Sequence, residues 1–188
     1  MYDLYIGGNE GVEIRSCGNM FRDFSKCTNI NLECLYTEKV AYFVNMFNGD
    51  FSLREINIAS NFVSANATNL MYIFYCCQSL KNIDTSNWDT SNVTNMFGTF
   101  RMCQSITSLD LSNWDTQKVT AMDYLFQYCQ KLKTIYVSNK WNNDKVNSDD
   151  GMFQGCSSLV GAISFDSTKT SVNYANYDIG YFTYKAIE

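Results

Sequence analysis

The chain has 188 residues, 46% of them hydrophobic, and 14 Lys and Arg stand against 19 Asp and Glu for a net charge of -5. That length suits one domain with its own core, and cations so few and scattered exclude a nucleic-acid grip, which needs clustered Lys and Arg. There is no His, the commonest general base and metal ligand, and no run nears the roughly 18 consecutive apolar residues of a membrane span, so no membrane insertion is expected.

The N-terminal segment MYDLYIGGNEGVEI opens with an apolar run, residues 2–6, that Gly7 and Gly8 turn away. Residues 1–18 are expected to cap the array after them. The segment lacks the basic and apolar regions of a signal peptide. Either the protein is not exported by that route, or the chain is an internal piece of a longer one. A short, degenerate copy of the later pattern surrounds Phe24 and Cys27.

From Leu53 onward the chain repeats itself. Residues 53–79, 80–105, 106–131 and 132–158 align as rungs of 26 or 27 residues, which sets the architecture. Phe47, Phe74, Phe100, Phe126 and Phe153 are spaced 27, 26, 26 and 27 apart, and Cys77, Cys103, Cys129 and Cys156 each follow a Phe by three. Asn61, Asn87, Asn113 and Asn139 are each 26 apart, and Phe62, Trp88, Trp114 and Trp141 follow them. Such registered columns predict a solenoid over residues 19–165, of about 5–6 rungs. The absence of Pro suits a regular stack, in which every strand and turn donates backbone hydrogen bonds.

Within a rung, ITSLDL places Ile106, Leu109 and Leu111 inward, and Leu109 and Leu111 alternate with Ser108 and Asp110 as in a half-buried strand. The following SNWDT reads as a turn, with Asp or Thr suited to cap a helix. Val119, Met122, Phe126 and Cys129 then recur at 3, 4 and 3, the stripe of a short helix. The fold expected is therefore an α/β repeat: one parallel sheet, with a strand, a turn and a short helix in each rung. The recurring Asn is expected to form a buried ladder, each amide bridging to its neighbour rung, with about 1–3 kcal/mol lost if one is removed. The aromatic after it is expected to stack on its own copies. Residues 166–188, rich in Tyr and ending in GYFTYK and three further residues, break the repeat and read as a C-terminal cap.

The run SLDLSNWDTQKVTAMDYLFQYCQKL, with its copies containing DTSNVTNM and MFQGCSSL, resembles the BspA-like leucine-rich repeat family. The likeness covers about residues 20–165, and the closing GYFT also looks like the end of such arrays. The resemblance implies a leucine-rich-repeat solenoid, a cell-surface or extracellular location, and adhesion to host proteins or other cells. It carries over no catalytic residues. A bacteriophage virion component using the same repeat for attachment is the alternative, with other virion proteins as its partners.

The chemistry-bearing residues read more simply as packing. Eight cysteines without a C-x-x-C spacing make a poor zinc site, and a Cys in each rung suits a small buried apolar residue. Asp84, Asp89, Asp110 and Asp115 recur in register, so an enzyme on the solenoid scaffold, with a carboxylate pair across rungs as in glycoside hydrolysis, is a rival reading. Asp89 and Asp115 fit better as turn residues accepting from backbone N–H groups. No EF-hand or nonapeptide calcium pattern is present, and neither a metal nor a cofactor is expected. The outward sheet face is the expected protein-binding surface. One column reads Glu55, Asn82, Ser108 and Thr134; the next reads Asn57, Asp84, Asp110 and Tyr136. Its acidic cast suits a basic or polar partner.

Overall fold

The computed structural model describes residues 1–6, 12–58, 62, 63 and 65–187. Strands β1 (Tyr2–Tyr5), β3 (Cys27–Leu32) and β5 (Glu55–Ile58) lie side by side, all parallel. So do β6 (Ser108–Asp110), β7 (Thr134–Val137) and β8 (Phe182–Tyr184), while β2 (Val12–Glu13) pairs with β4 (Leu35–Tyr36). Parallel neighbours need a long return path, and here the rest of each rung supplies it. The Gly7 and Gly8 turn lies outside the described residues.

The expected single sheet is two three-stranded stretches. Residues 80–84, the rung between β5 and β6, form no strand, and among the described residues one backbone bond ties them to the rung before, Lys81 N to Arg54 O at 3.4 Å. Ile83 packs against the core but is only half-buried, whereas Ile56, Leu109 and Ile135 are buried.

The short helix expected in each rung is not there. Among the described residues the only helical element is a single 3-10 turn, Val172–Tyr174. Val119, Met122, Phe126 and Cys129 are buried as expected, but their backbone is a run of turns. Alternate N–H groups bond within the rung, as Leu125 N to Met122 O and Gln127 N to Tyr124 O. The others donate to the next rung: Met122, Tyr124, Phe126 and Tyr128 to the carbonyls of Ser148, Asp150, Met152 and Gln154. A helix would keep every one of these bonds inside its own segment. Half of them are committed between rungs instead, and parallel bridges join Tyr42, Asn69, Asn95, Ala121 and Ser148 along the same wall.

Keeping the chain turning in this way requires two residues per rung in the left-handed region. They recur at Asn19 and Asp23, Asn45 and Gly49, Tyr72 and Cys76, Gly98 and Met102, Tyr124 and Tyr128, and Gly151 and Gly155. A regular right-handed helix has no such residue.

Strand wall and turn wall enclose one core. Its axis is a stack of Phe rings running through every rung. Phe21–Phe47, Phe47–Phe74, Phe74–Phe100, Phe100–Phe126 and Phe126–Phe153 have centroids 5.4–6.0 Å apart and planes within 16°. The first copy therefore registers on Phe21, three residues before the expected Phe24, and Cys27 opens β3. Trp88 and Trp114 stack at 5.9 Å, Phe62 tilts against Trp88, and Trp141 turns edge-on to Phe182 instead. At the C-terminal end β8 adds a strand to β7, and Phe182 meets Phe153 and Phe126 edge-on over the end of the stack. Tyr181 is buried beside it, its hydroxyl donating to the Asp166 carbonyl and accepting from the Asp166 N–H.

Candidate functional site

The outward sheet columns are in register where strands form. Ser108 faces Thr134 and Asp110 faces Tyr136 across β6 and β7. Glu55 and Asn57 continue instead into β3, opposite Asn29 and Asn31, and those into β1 opposite Asp3 and Tyr5. Thr183 of β8 extends the second column beyond Tyr136. The sequence reading missed these extensions because the first rung is degenerate and β8 lies outside the repeat. Glu55, Asn57, Asn82, Asp84 and Ser108 are exposed or half-exposed, and Asp110, Thr134 and Tyr136 are half-buried. Where the sheet is interrupted, an open cleft of about 240 Å³ lies between Glu55, Ile56 and Asn57 on one side and Asn82, Ile83 and Asp84 on the other.

Two carboxylates of this face, Asp84 and Asp110, are held. Asp84 accepts from the Ser86 N–H at 3.0 Å, and Ser86 keeps its carboxyl below the usual range. Burial would raise the Asp110 carboxyl, but the Lys185 ammonium paired with it and the donors of Ser112 outweigh that and lower it. Lys185, from the segment after β8, thus brings a positive charge onto a face expected to be acidic.

The asparagine column does not build the buried ladder expected of it. Asn113 does reach across, its amide donating to the Ser86 carbonyl at 2.6 Å. Asn87 is exposed and donates to its own neighbour Ser86, Asn139 is exposed, and Asn61 lies outside the described residues. Hydroxyls two or three residues away do the stitching, because they are short enough to stay buried against backbone. Thr85, Thr90 and Thr116 donate to the carbonyls of Asp110, Asp115 and Asn142 in the following rung, and Thr116 also accepts from the Asn142 N–H at 2.7 Å. Thr37 bridges forward to Phe62 and Ser138 back to Ser112 in the same manner. The signal was present in the sequence: Thr90 and Thr116 end the repeated NWDT.

The family model described as "Mycoplasma protein of unknown function, DUF285" matches residues 15–134 and 68–178. The chain belongs to this family. Two solved structures resemble the DUF285 chain. One is the leucine-rich repeat protein of T. pallidum, at 19% identity with a TM-score of 0.50 over 79% of this chain and 61% of that one. The other is a leucine-rich cell surface protein from Faecalibacterium prausnitzii, at 16% identity with a TM-score of 0.47 over 86% of this chain and 47% of that one. The chain thus spans less than two thirds of the length of either. The former likeness places the DUF285 coil with the leucine-rich-repeat solenoids. No curated protein matches the sequence.

The repeated DUF285 cysteines do more than fill space. Cys77, Cys103, Cys129 and Cys156 are buried thiols that donate to the carbonyls of Phe47, Phe74, Phe100 and Phe126, one rung back, at 2.9–3.2 Å. Burial raises all four thiols, Cys129 to about 12. Asp50 takes the same place in its rung, fully buried. One of its oxygens accepts from the Phe24 N–H at 2.7 Å while the other has no partner. Burial raises that carboxyl to about 8. Asp89 and Asp115 hold turns, each accepting from the N–H two residues on. Among the described residues, no group of three or more His, Cys, Asp and Glu could hold a metal ion, and no helix is long and apolar enough to cross a membrane.

Proposed function

We propose that the protein is a non-enzymatic protein-interaction module whose sheet face binds a protein partner. Residues 1–18 and 166–188 are its caps, and residues 19–165 the solenoid that presents the face. The observation that carries this reading is a pair of polar columns, in register across β3 and β5 and across β6 and β7. Glu55, Asn57, Asn82, Asp84, Ser108, Asp110, Thr134 and Tyr136 lie on one wall of a stacked coil, none of them fully buried. Repeat scaffolds bind along such extended surfaces, with the stack holding the contact groups at fixed spacing. The cleft between β5 and residues 82–84 adds a concave element with Glu55 and Asp84 on opposite sides, suited to a basic or polar side chain. The likeness of the repeats to BspA-like sequences supports display at a cell surface and a role in adhesion.

The test is binding of the labelled chain to an array of purified extracellular proteins, beside the double variant Glu55→Gln, Asp84→Asn, with immunogold labelling of the source culture. Capture that weakens with salt and is lost in the variant, together with envelope labelling, is the expected result. Undiminished capture by the variant would overturn the assignment to the sheet face, and label confined to virus particles would overturn the cell-surface role.

A further inference from the structure

The turn wall faces away from the sheet across the shared core, and its outward side chains are of a different kind. In the three central rungs Tyr72, Tyr75, Phe97, Arg101 and Tyr124 form one cluster, and the exposed Tyr128 lies on the same wall. Phe97 meets Tyr72 and Tyr124 edge-on at 5.1 and 5.3 Å, Tyr75 lies 5.0 Å from Tyr72, and the Arg101 guanidinium lies over Tyr75 and Tyr124 at 5.3 and 4.8 Å. Tyr, Phe and Arg are the residues that dominate binding energy at protein interfaces.

Backbone conformation marks the same place independently. Each rung needs two residues at positive φ, and the two rungs before and the one after this patch use Asn, Asp or Gly there. The central rungs use Tyr72, Cys76, Met102, Tyr124 and Tyr128, at φ between 55° and 63°, with glycine at one place only, Gly98. Bulky residues are disfavoured in that region, and strain kept in a structure clusters at functional sites. The rungs give way to the rings as well. A Cβ at Gly98 would lie 2.5 Å from the Tyr72 ring, and one at Gly155 would lie 2.5 Å from Tyr128. Large side chains are therefore laid on this wall against backbone preference, over glycines that make room for them.

Charge identifies the occupant. Within the turn runs 71–76, 97–102 and 123–128, Arg101, half-exposed, is the one formal charge that is not buried; Asp123 is buried and accepts from the Asp150 N–H, and exposed Lys131 and Asp150 lie just beyond these runs. Among the described residues no carboxylate pairs with Arg101; its Nε is buried without a hydrogen-bond partner, which leaves the terminal nitrogens to meet a ligand. A guanidinium fixed between two aromatic rings and still unpaired is prepared for a carboxylate, because its donors are already oriented. We propose that this wall is a second interaction surface, which docks a protein segment presenting an Asp or Glu carboxylate to Arg101 between apolar side chains that lie on the tyrosines. It goes beyond the sheet-face reading and stands without it.

A displayed library of random short peptides, panned on the wild-type chain and depleted on Arg101→Gln, tests this directly. Enriched peptides are expected to carry an acidic residue flanked by Leu, Met or aromatic side chains. Their synthetic forms should bind Arg101→Gln at least about tenfold more weakly, with Arg101→Lys recovering only part of the loss. Tyr128→Asn, which suits the positive φ, should keep the fold by circular dichroism and still bind more weakly. Glu55→Gln with Asp84→Asn should leave this binding unchanged, which separates its failure from failure of the sheet-face reading. Peptides without a carboxylate, equal binding to Arg101→Gln, no enrichment, or sedimentation showing the wall covered by a second copy of the chain would each overturn the proposal.

Discussion

Asp50 departs from the thiols of its column, and the difference gives the fold a titrating group. Four rungs place a thiol there that donates to a carbonyl one rung back, and Asp50 instead accepts from Phe24 N and leaves its second oxygen unpartnered. Burial raises its carboxyl from 3.8 to about 8, so the folded chain retains a proton that the unfolded chain releases. Stability linked to Asp50 is accordingly full below about pH 4, falls as pH rises to about 8, and is level above that. Melting temperatures at pH 5 and pH 8 should therefore differ more for the wild type than for Asp50→Asn. An equal drop in both proteins would show that Asp50 is not the titrating group.

At the scale of the rung, an inward stripe at 3, 4 and 3 belongs equally to an amphipathic helix and to a run of turns. Burial of Val119, Met122, Phe126 and Cys129 could not separate the two. What separates them is the recurrence of Gly and Asn inside the supposed helix, at Asn45, Gly49, Gly98, Gly151 and Gly155, where only a left-handed residue keeps the wall turning. Gly98 carries the consequence most sharply, with φ +57 and the Tyr72 ring where a Cβ would go. Gly98→Ala should lower unfolding stability by about 1–2 kcal/mol in urea titration, whereas at Gly18 a Cβ would meet nothing nearer than 3.8 Å, so Gly18→Ala should be close to neutral. Equal effects at the two sites would remove the argument from backbone handedness.

Across the whole molecule, cohesion lies along the stack. Backbone bonds, threonine hydroxyls, cysteine thiols and the Phe rings all run from one rung to the next. A protein built so should shield its column thiols together. Iodoacetamide on the native protein should leave Cys77, Cys103, Cys129 and Cys156 unmodified by mass spectrometry, since burial both covers the sulfurs and suppresses the thiolate. All four should react once the chain is unfolded. Ready labelling of Cys103 or Cys129 in the native state would mean the central rungs open independently.

The repeat itself was legible without coordinates, because residues that return every 26 or 27 positions must meet their own copies in any regular stack. The Phe column, the inward Leu109 and Leu111 and the registered faces of β6 and β7 all follow from that rule. The reason is local: spacing alone tells which side chains share a column. Sequence spacing does not tell where a backbone N–H sends its hydrogen bond. The turns in place of helices, the interruption of the sheet at residues 80–84, the stitching by Thr90 and Thr116, and the arrival of Lys185 beside Asp110 are settled by competition between partners in different rungs. The aromatic wall around Arg101 belongs with them. Its residues come from three rungs, and only the stacking of those rungs lays them side by side.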